Sequence, residues 1–147
     1  MAEPVTASVY IDAPCDRVYE YFVRPEAIVR WMGEYALLEP KPDGRFHLDI
    51  QGTPVRGRYV ALEPPHRLTL SWGYAGAGRL LPSASTVEIR LTPHGRGTRV
   101  ELEHRDLPDT ERRPHAVGWQ HYLARLDRAV IAGTAGPDPG MPSVGGG

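Results

Sequence analysis

Residues 118–133 read Gly-Trp-Gln-His-Tyr-Leu-Ala-Arg-Leu-Asp-Arg-Ala-Val-Ile-Ala-Gly, and this stretch decides the fold. Its apolar side chains recur every three or four residues, which places them along one stripe of an α-helix. The residues of this stripe are Trp119, Tyr122, Leu123, Leu126, Val130 and Ile131. Arg125 and Arg128 fall among the polar residues of the other faces, and Gly133 marks the C-terminal end. The spacing predicts a long C-terminal helix, beginning near Arg112, that buries one face.

Upstream of this helix, apolar residues alternate with polar ones, which is the period of half-buried β-strands. Six strands are predicted, at about residues 6–12, 46–50, 56–62, 68–72, 87–91 and 100–104. Two short helices follow the first strand, one starting at Pro14 and one over residues 26–32. Prolines and glycines mark turns between the strands. Residues 73–83 have no periodicity, and we expect them to form a mobile loop.

This order of elements predicts an α+β domain, with a strand, two short helices, five strands in a meander and a long helix. An antiparallel sheet must bury its apolar face, and the C-terminal helix carries the only apolar stripe large enough to cover it. A twisted sheet wrapped around one helix leaves a lumen between the two. Concave apolar lumens of this kind hold small ligands.

The composition is typical of an ordinary soluble protein and argues against several functional classes. The 147 residues include 17 basic and 18 acidic side chains, so no basic face for nucleic acid is expected. Cys15 is the only cysteine, which excludes an internal disulfide and a cysteine-based metal cluster. No apolar run reaches the roughly 18 residues of a membrane span.

The length fits one domain, which we expect to cover residues 1–132 and to bind a ligand. Residues 133–147 are rich in glycine and proline and lack apolar periodicity, so we expect a disordered tail. The N-terminal residues show no signal peptide, and the expected location is therefore the cytoplasm.

Motifs in consistent order along residues 8–126 resemble the START-like superfamily, whose members share the helix-grip fold. The closest likeness is to the branch named for homology to the activator of the Hsp90 ATPase. The matching motifs include Ala13-Pro14, Arg24-Pro25-Glu26, Arg30-Trp31, Pro42-Asp43-Gly44-Arg45-Phe46, Pro64-Pro65-His66-Arg67-Leu68, Gly97-Thr98-Arg99-Val100 and Gly118-Trp119-Gln120-His121-Tyr122-Leu123. One departure is Trp31-Met32, which stands where the family usually carries two tryptophans. The resemblance implies a bacterial single-domain protein with a helix-grip fold and no assigned reaction.

The candidate ligand-binding residues are those that the strand and helix periods direct toward the lumen. They are Trp31, Phe46, Leu48, Trp72, Leu102, His104, Trp119 and Tyr122. Trp31 lies beside a loop, and we expect it near the mouth of the lumen. For each tryptophan, packing in the core is the competing interpretation, because aromatic residues dominate protein cores.

His104 has two interpretations, because it shares a strand face with Val100 and Leu102. It is either a hydrogen-bonded core histidine, which we favour, or a polar anchor or acid/base group facing a ligand. His115 and His121 are six residues apart on the helix, a spacing unsuited to sharing one metal ion. We therefore expect neither a metal site nor a cofactor.

Three functional hypotheses follow. The first is a module that binds a small hydrophobic or amphipathic molecule in the lumen, without defined chemistry. The second is an enzyme resembling polyketide cyclases or hydrolases, with His104 moving a proton; no second titratable group clearly converges with His104, so we expect no catalytic residue. The third is a chaperone-associated interaction protein, which would need an exposed apolar patch. A homodimer through a sheet edge stays open.

Overall fold

The computed structural model describes residues 3–76 and 80–140, and within these ranges the strands form one antiparallel sheet. The strands are β1 (Val5–Ile11), β2 (Tyr35–Leu38), β3 (Arg45–Ile50), β4 (Thr53–Glu63), β5 (Arg67–Trp72), β6 (Ser85–His94) and β7 (Gly97–Arg105). The helices are α1 (Cys15–Val23), α2 (Pro25–Ile28) and α3 (Asp109–Ala132). The sheet order is β1-β7-β6-β5-β4-β3-β2, so the chain places its first strand beside its last. The predicted α+β class and the long C-terminal helix are confirmed.

The sheet has seven strands in the described residues, whereas the sequence predicts about six. The missed strand is β2, which pairs with β3 alone at the edge of the sheet. Its residues Ala36, Leu37 and Leu38 are all half-buried, so the strand has no alternation of apolar and polar residues. An edge strand of four residues without this alternation gives no period-two signal.

The predicted helices also differ from the observed ones at their ends. The second short helix ends at Ile28, where the sequence pattern predicts residues 26–32. The long helix begins at Asp109, about one turn before the predicted start, and Pro108 precedes it. It ends at Ala132 and is capped by Gly133, whose φ of 85° is the left-handed conformation that glycine adopts most easily.

The core lies between the concave face of the sheet and the buried stripe of α3. The sheet contributes alternate residues of its central strands, among them Phe46, Leu48, Tyr59, Leu68, Leu70, Val87, Ile89, Val100 and Leu102. The two short helices close one end of this core. Tyr59 donates a hydrogen bond to the carbonyl oxygen of Phe22 at 2.9 Å, and this bond ties α1 to β4.

The segment that follows α3 packs on the protein as far as residue 140. The buried guanidinium of Arg125 donates hydrogen bonds to the carbonyl oxygens of Gly136 and Pro137, at 2.8 and 3.3 Å. The carboxylate of Asp138 accepts a hydrogen bond from His121 at 2.8 Å. The sequence analysis expects a disordered tail from residue 133, and these contacts are made by its first residues, 133–140. Residues 141–147 lie outside the described part of the chain.

Residues 73–83 were expected to form a mobile loop, and the parts that the structure describes are packed. Tyr74 and Leu80 are buried, and the backbone N–H of Tyr74 donates to the carbonyl oxygen of Leu80 at 2.9 Å. Tyr74 also forms an isolated β-bridge with Val55. Residues 77–79, which belong to the same predicted loop, lie outside the described part of the chain.

Candidate functional site

A cavity of about 180 Å³ lies between α3 and the end of the sheet formed by β3, β4 and β5, and it is partly open to solvent. Its wall is mostly apolar. The described residues that line it are Met32, Ile50, Gln51, Thr53, Trp72, Tyr74, Pro114, His115, Gly118, Trp119 and Tyr122. An apolar concavity with a few polar groups is the usual form of a small-molecule site.

The helix α3 forms one wall of the cavity because its lining residues recur at helical spacing. Gly118 and Trp119 each lie three or four residues from both His115 and Tyr122, so the four residues share a face. His115 and Tyr122 are two turns apart, about 10 Å along the helix axis. They lie near the two ends of the cavity along α3, whose lining residues run from Pro114 to Tyr122.

Gly118 stands in the interior of a 24-residue helix, where glycine destabilises the helix by about 1 kcal/mol relative to alanine. It is buried and lines the cavity. A larger side chain at this position would extend from α3 into the cavity. The glycine therefore preserves the space at the cost of helix stability.

One end of the cavity carries a hydrogen-bonded chain of three side chains. The indole N–H of Trp72 donates to the hydroxyl of Tyr74 at 3.2 Å, and this hydroxyl lies 2.7 Å from Nε2 of His115. Nδ1 of His115 lies 2.7 Å from the carbonyl oxygen of Glu111, which can only accept. The proton of a neutral His115 is therefore on Nδ1, and Tyr74 donates its hydroxyl hydrogen to Nε2. The Glu111 carboxylate lies 3.7 Å from the same Nδ1.

His104 belongs to a second chain of hydrogen bonds behind the cavity wall. Its Nδ1 accepts a hydrogen bond from the indole N–H of Trp119 at 3.0 Å, so its own proton is on Nε2. Nε2 donates to the hydroxyl of Ser85 at 2.7 Å, and that hydroxyl donates to the carbonyl oxygen of Trp72 at 2.7 Å. Burial, followed by the nearby His115, lowers the pKa of His104 to about 3. His104 is thus neutral near pH 7, with both ring nitrogens engaged within the protein.

The other end of the cavity meets the segment after α3. Tyr122 is buried, and burial, with a smaller contribution from the Asp138 carboxylate, raises the pKa of its hydroxyl. Burial alone would raise the pKa of Asp138, but hydrogen bonds from the Gly140 N–H and from His121 outweigh it, so this pKa is lowered. Gln51, at the cavity rim, donates to the carbonyl oxygen of Asp138 at 3.4 Å. The segment therefore borders the cavity at this end.

The structure places three of the predicted ligand-binding residues in the cavity wall, namely Trp72, Trp119 and Tyr122. Trp72 and Trp119 lie side by side with ring centroids 5.1 Å apart. The other five predicted residues are buried in the core without lining this cavity; they are Trp31, Phe46, Leu48, Leu102 and His104.

Trp31 does not lie at the mouth of the cavity, where the sequence analysis placed it. Its side chain is fully buried, its indole N–H donates to the carbonyl oxygen of Tyr21 at 3.0 Å, and its ring packs edge-on against Phe22. The neighbouring Met32 lines the cavity instead. The short α2 turns Trp31 inward toward α1, which the loop position in the sequence does not reveal.

Sequence reasoning missed Tyr74, His115 and Gly118 as lining residues. Tyr74 lies in a stretch without periodicity, so the sequence does not indicate whether its side chain faces the core or the solvent. His115 was considered only as a partner of His121 in a metal site, whereas the two histidines have different hydrogen-bond partners. A glycine in the middle of a helical pattern was the one available signal for Gly118.

No helix within residues 3–76 and 80–140 is both long and apolar enough to cross a membrane. Within the same ranges, no group of three or more histidine, cysteine, aspartate or glutamate side chains is placed to hold a metal ion.

Three solved structures illustrate the similarity of this fold to known proteins. An AHSA1-like protein from Rhizobium etli is 37% identical, with 95% of this chain and 89% of that one covered and a TM-score of 0.70. CalU16 from Micromonospora echinospora is 31% identical, with 90% and 75% covered and a TM-score of 0.68. DynU16, from the dynemicin biosynthetic locus, has the same fold at 22% identity and a TM-score of 0.79, with 92% of this chain covered; this chain spans about half of its length, 49%.

Among curated protein sequences, none matches the chain. Residues 12–130 match the sequence model of the family described as activator of Hsp90 ATPase homolog 1-like protein. This match covers most of the chain, from the end of β1 almost to the end of α3. The resemblance noted from the sequence motifs is thereby confirmed, and the chain belongs to the family of activator of Hsp90 ATPase homolog 1-like proteins.

Proposed function

We propose that this chain binds a small, largely apolar molecule in the cavity between α3 and the end of the sheet. The observation that carries the proposal is the cavity itself, which is walled by Trp72, Trp119 and Met32 and has a polar pair, Tyr74 and His115, at one end. Apolar walls supply affinity at about 25 cal/mol for each Å² of apolar surface removed from water. A few polar groups then orient the bound molecule.

The size of the cavity supports a compact ligand. An apolar cavity of about 150 Å³ is large enough to take up benzene, and this cavity is about 180 Å³. It is smaller than the roughly 300–1,000 Å³ usual for drug-sized ligands. Two indole rings in contact offer flat surfaces to an aromatic guest. A molecule of one or two rings fits these dimensions, with any longer substituent passing through the open side.

The polar groups that orient the ligand are Tyr74 and His115 rather than His104. Both ring nitrogens of His104 are engaged by Trp119 and Ser85, and the ring does not line the cavity. Its low pKa makes it a poor proton acceptor near pH 7. The geometry therefore does not favour the enzyme hypothesis built on His104.

Gly118→Leu is expected to abolish binding of indole, used here as a small aromatic probe, because the new side chain occupies the cavity. The measurement is a titration followed by two-dimensional ¹H–¹⁵N NMR of the three tryptophan indole N–H groups. In the unmodified protein, the signals of Trp72 and Trp119 should shift, while that of Trp31 should not, because only the first two line the cavity.

Ala124→Leu is the matched control, since Ala124 is exposed on the same helix. The dissociation constant for indole should stay within about twofold of that of the unmodified protein. Mass spectrometry of an organic extract of the gently purified protein, with Gly118→Leu in parallel, then identifies the natural ligand. Equal shifts of all three tryptophans, or unchanged binding by Gly118→Leu, would contradict the proposal.

A further inference from the structure

Two histidines lie close together near the cavity, with ring centroids 5.1 Å apart, but their surroundings differ. His104 belongs to a chain of hydrogen bonds that ends on a backbone carbonyl oxygen, away from the cavity. His115 lines the cavity, and its Nε2 is the acceptor for the hydroxyl of Tyr74, which also lines it. A proton that reaches Tyr74 from the cavity therefore has a direct route to a basic nitrogen.

The groups around Tyr74 and His115 suit the charges that such a transfer would create. The indole N–H of Trp72 donates to the Tyr74 oxygen and stabilises the negative charge that develops there while the protons move. The carbonyl oxygen of Glu111 accepts from Nδ1 of His115, and the buried Glu111 carboxylate lies 3.7 Å away, so both favour an imidazolium. A reactive group, a base within hydrogen-bond distance and a third group that orients the base form the usual arrangement of an activated side chain.

We propose that the Tyr74–His115 pair accepts a proton from a bound ligand, so that the cavity selects small acidic hydroxyl compounds, phenols or enols, and binds them as anions. This inference rests on the proposed function of the cavity. It adds the chemical class of the ligand and the protonation state in which the ligand is held.

The transfer balances without any co-reactant. The O–H bond of the ligand breaks, and its proton forms a new O–H bond with the Tyr74 oxygen. The original hydroxyl proton of Tyr74 moves to Nε2 of His115. Tyr74 ends neutral, the ligand carries a negative charge, and His115 carries the positive charge beside it.

The described titratable groups that face His115 come from three elements. Glu111 lies one turn earlier on α3, Tyr74 lies after β5, and His104 lies on β7. Glu111 favours the charged form of His115. His104 stays neutral because its pKa is about 3, so it adds no opposing charge near pH 7. The other polar end of the cavity, with Tyr122 and Asp138, lies about two helical turns away.

The test uses 4-nitrophenol, whose anion is yellow and whose acid is colourless, and its methyl ether 4-nitroanisole, which has no proton to give. At a pH one unit below the pKa of the free phenol, about one tenth of the free compound is ionised. We expect at least half of the bound compound to be ionised, a rise of about fivefold in the anion fraction, measured by absorbance during titration with the protein.

Tyr74→Phe and His115→Gln are expected to return the ionised fraction of bound 4-nitrophenol to that of the free compound. Glutamine can still hydrogen-bond to Tyr74 but cannot take up a proton. Both variants should keep a single cooperative urea unfolding transition, which shows that they are folded. Tyr21→Phe and His66→Gln, substitutions of the same kind outside the cavity, should keep the ionised fraction high.

Three results would overturn the inference. They are binding of 4-nitrophenol in its acid form, equal affinity for 4-nitrophenol and 4-nitroanisole in the unmodified protein, and absence of 4-nitrophenol binding. In each case the indole titration separately reports whether the cavity binds small aromatic molecules. Failure of the proton-accepting role is therefore distinguished from failure of the cavity as a binding site.

Discussion

Arg125→Leu is expected to lower the free energy of unfolding by about 1–3 kcal/mol, since it leaves backbone carbonyl acceptors without their donor. Arg125 is buried and donates to the carbonyl oxygens of Trp31, Gly136 and Pro137. One guanidinium thus joins the end of the short-helix region, α3 and the C-terminal segment. Leucine would fill part of the volume but would leave these carbonyl groups without their donor. The measurement is urea denaturation followed by circular dichroism.

Arg128→Leu is the matched control, because Arg128 is exposed on the same helix, and it should change stability by less than about 0.5 kcal/mol. Arg125→Lys keeps the charge but cannot reproduce the planar fork, so we expect only partial retention of stability. NMR signals of residues 134–140 should approach random-coil positions in Arg125→Leu alone. Equal stability of the Arg125→Leu and Arg128→Leu proteins would refute the bridging role.

The elements that the sequence predicts correctly are those whose periods are regular. In β1, Val5 and Ile11 are buried while Thr6, Ser8 and Tyr10 are exposed, as alternation requires. In α3 most of the predicted apolar stripe is buried. These patterns, with the order of elements, are sufficient for the α+β class. They do not reveal β2, whose pairing partner and edge position exist only in the folded sheet.

The same helical pattern fails at two positions of α3. Arg125 was assigned to the polar surface and is buried, whereas Ile131 was assigned to the buried stripe and is 55% exposed. The periodicity gives the direction of a side chain but not what lies in that direction. The segment 134–140 covers Arg125 and supplies carbonyl acceptors, while Ile131 lies in the last turn before the helix ends.

The candidate site was only partly predictable for a related reason. Three lining residues were predicted because they are large and fall on inward-facing positions, namely Trp72, Trp119 and Tyr122. Tyr74 and His115 are separated by 41 residues and come from a loop and a helix, and only the tertiary structure brings the hydroxyl within 2.7 Å of the imidazole. A hydrogen bond between residues so far apart in the chain produces no periodic pattern in the sequence.

The His104 network illustrates which of two sequence interpretations the structure favours. A buried histidine on an apolar strand face was expected to be either a core residue or a ligand anchor. Trp119 and Ser85 occupy its two nitrogens, and the ring has no exposed surface. This is the arrangement of a core histidine that must stay neutral, and such a histidine makes the stability of the fold depend on pH.

The stability of the protein is expected to fall steeply between about pH 6.5 and pH 3 because of His104. Its pKa is about 3 in the folded protein, against 6.5 for the ordinary residue. In that range the unfolded chain binds a proton that the folded protein does not, so stability decreases as pH falls. The full difference amounts to roughly 5 kcal/mol at 1.36 kcal/mol per pKa unit. Urea denaturation at intervals from pH 7.5 to pH 3 measures this loss of stability.

His104→Gln isolates this effect, because glutamine can accept from Trp119 and donate to Ser85 but does not titrate. At pH 7 we expect it to be less stable than the unmodified protein by about 1–3 kcal/mol, since its hydrogen-bond geometry is poorer. This difference should shrink and then reverse as pH falls. Carboxylates with lowered pKa, such as Glu88 and Asp138, weaken both proteins alike in acid and cancel in the comparison. His66→Gln should retain the steep dependence, and parallel pH curves for the unmodified and His104→Gln proteins would rule out His104 as its source.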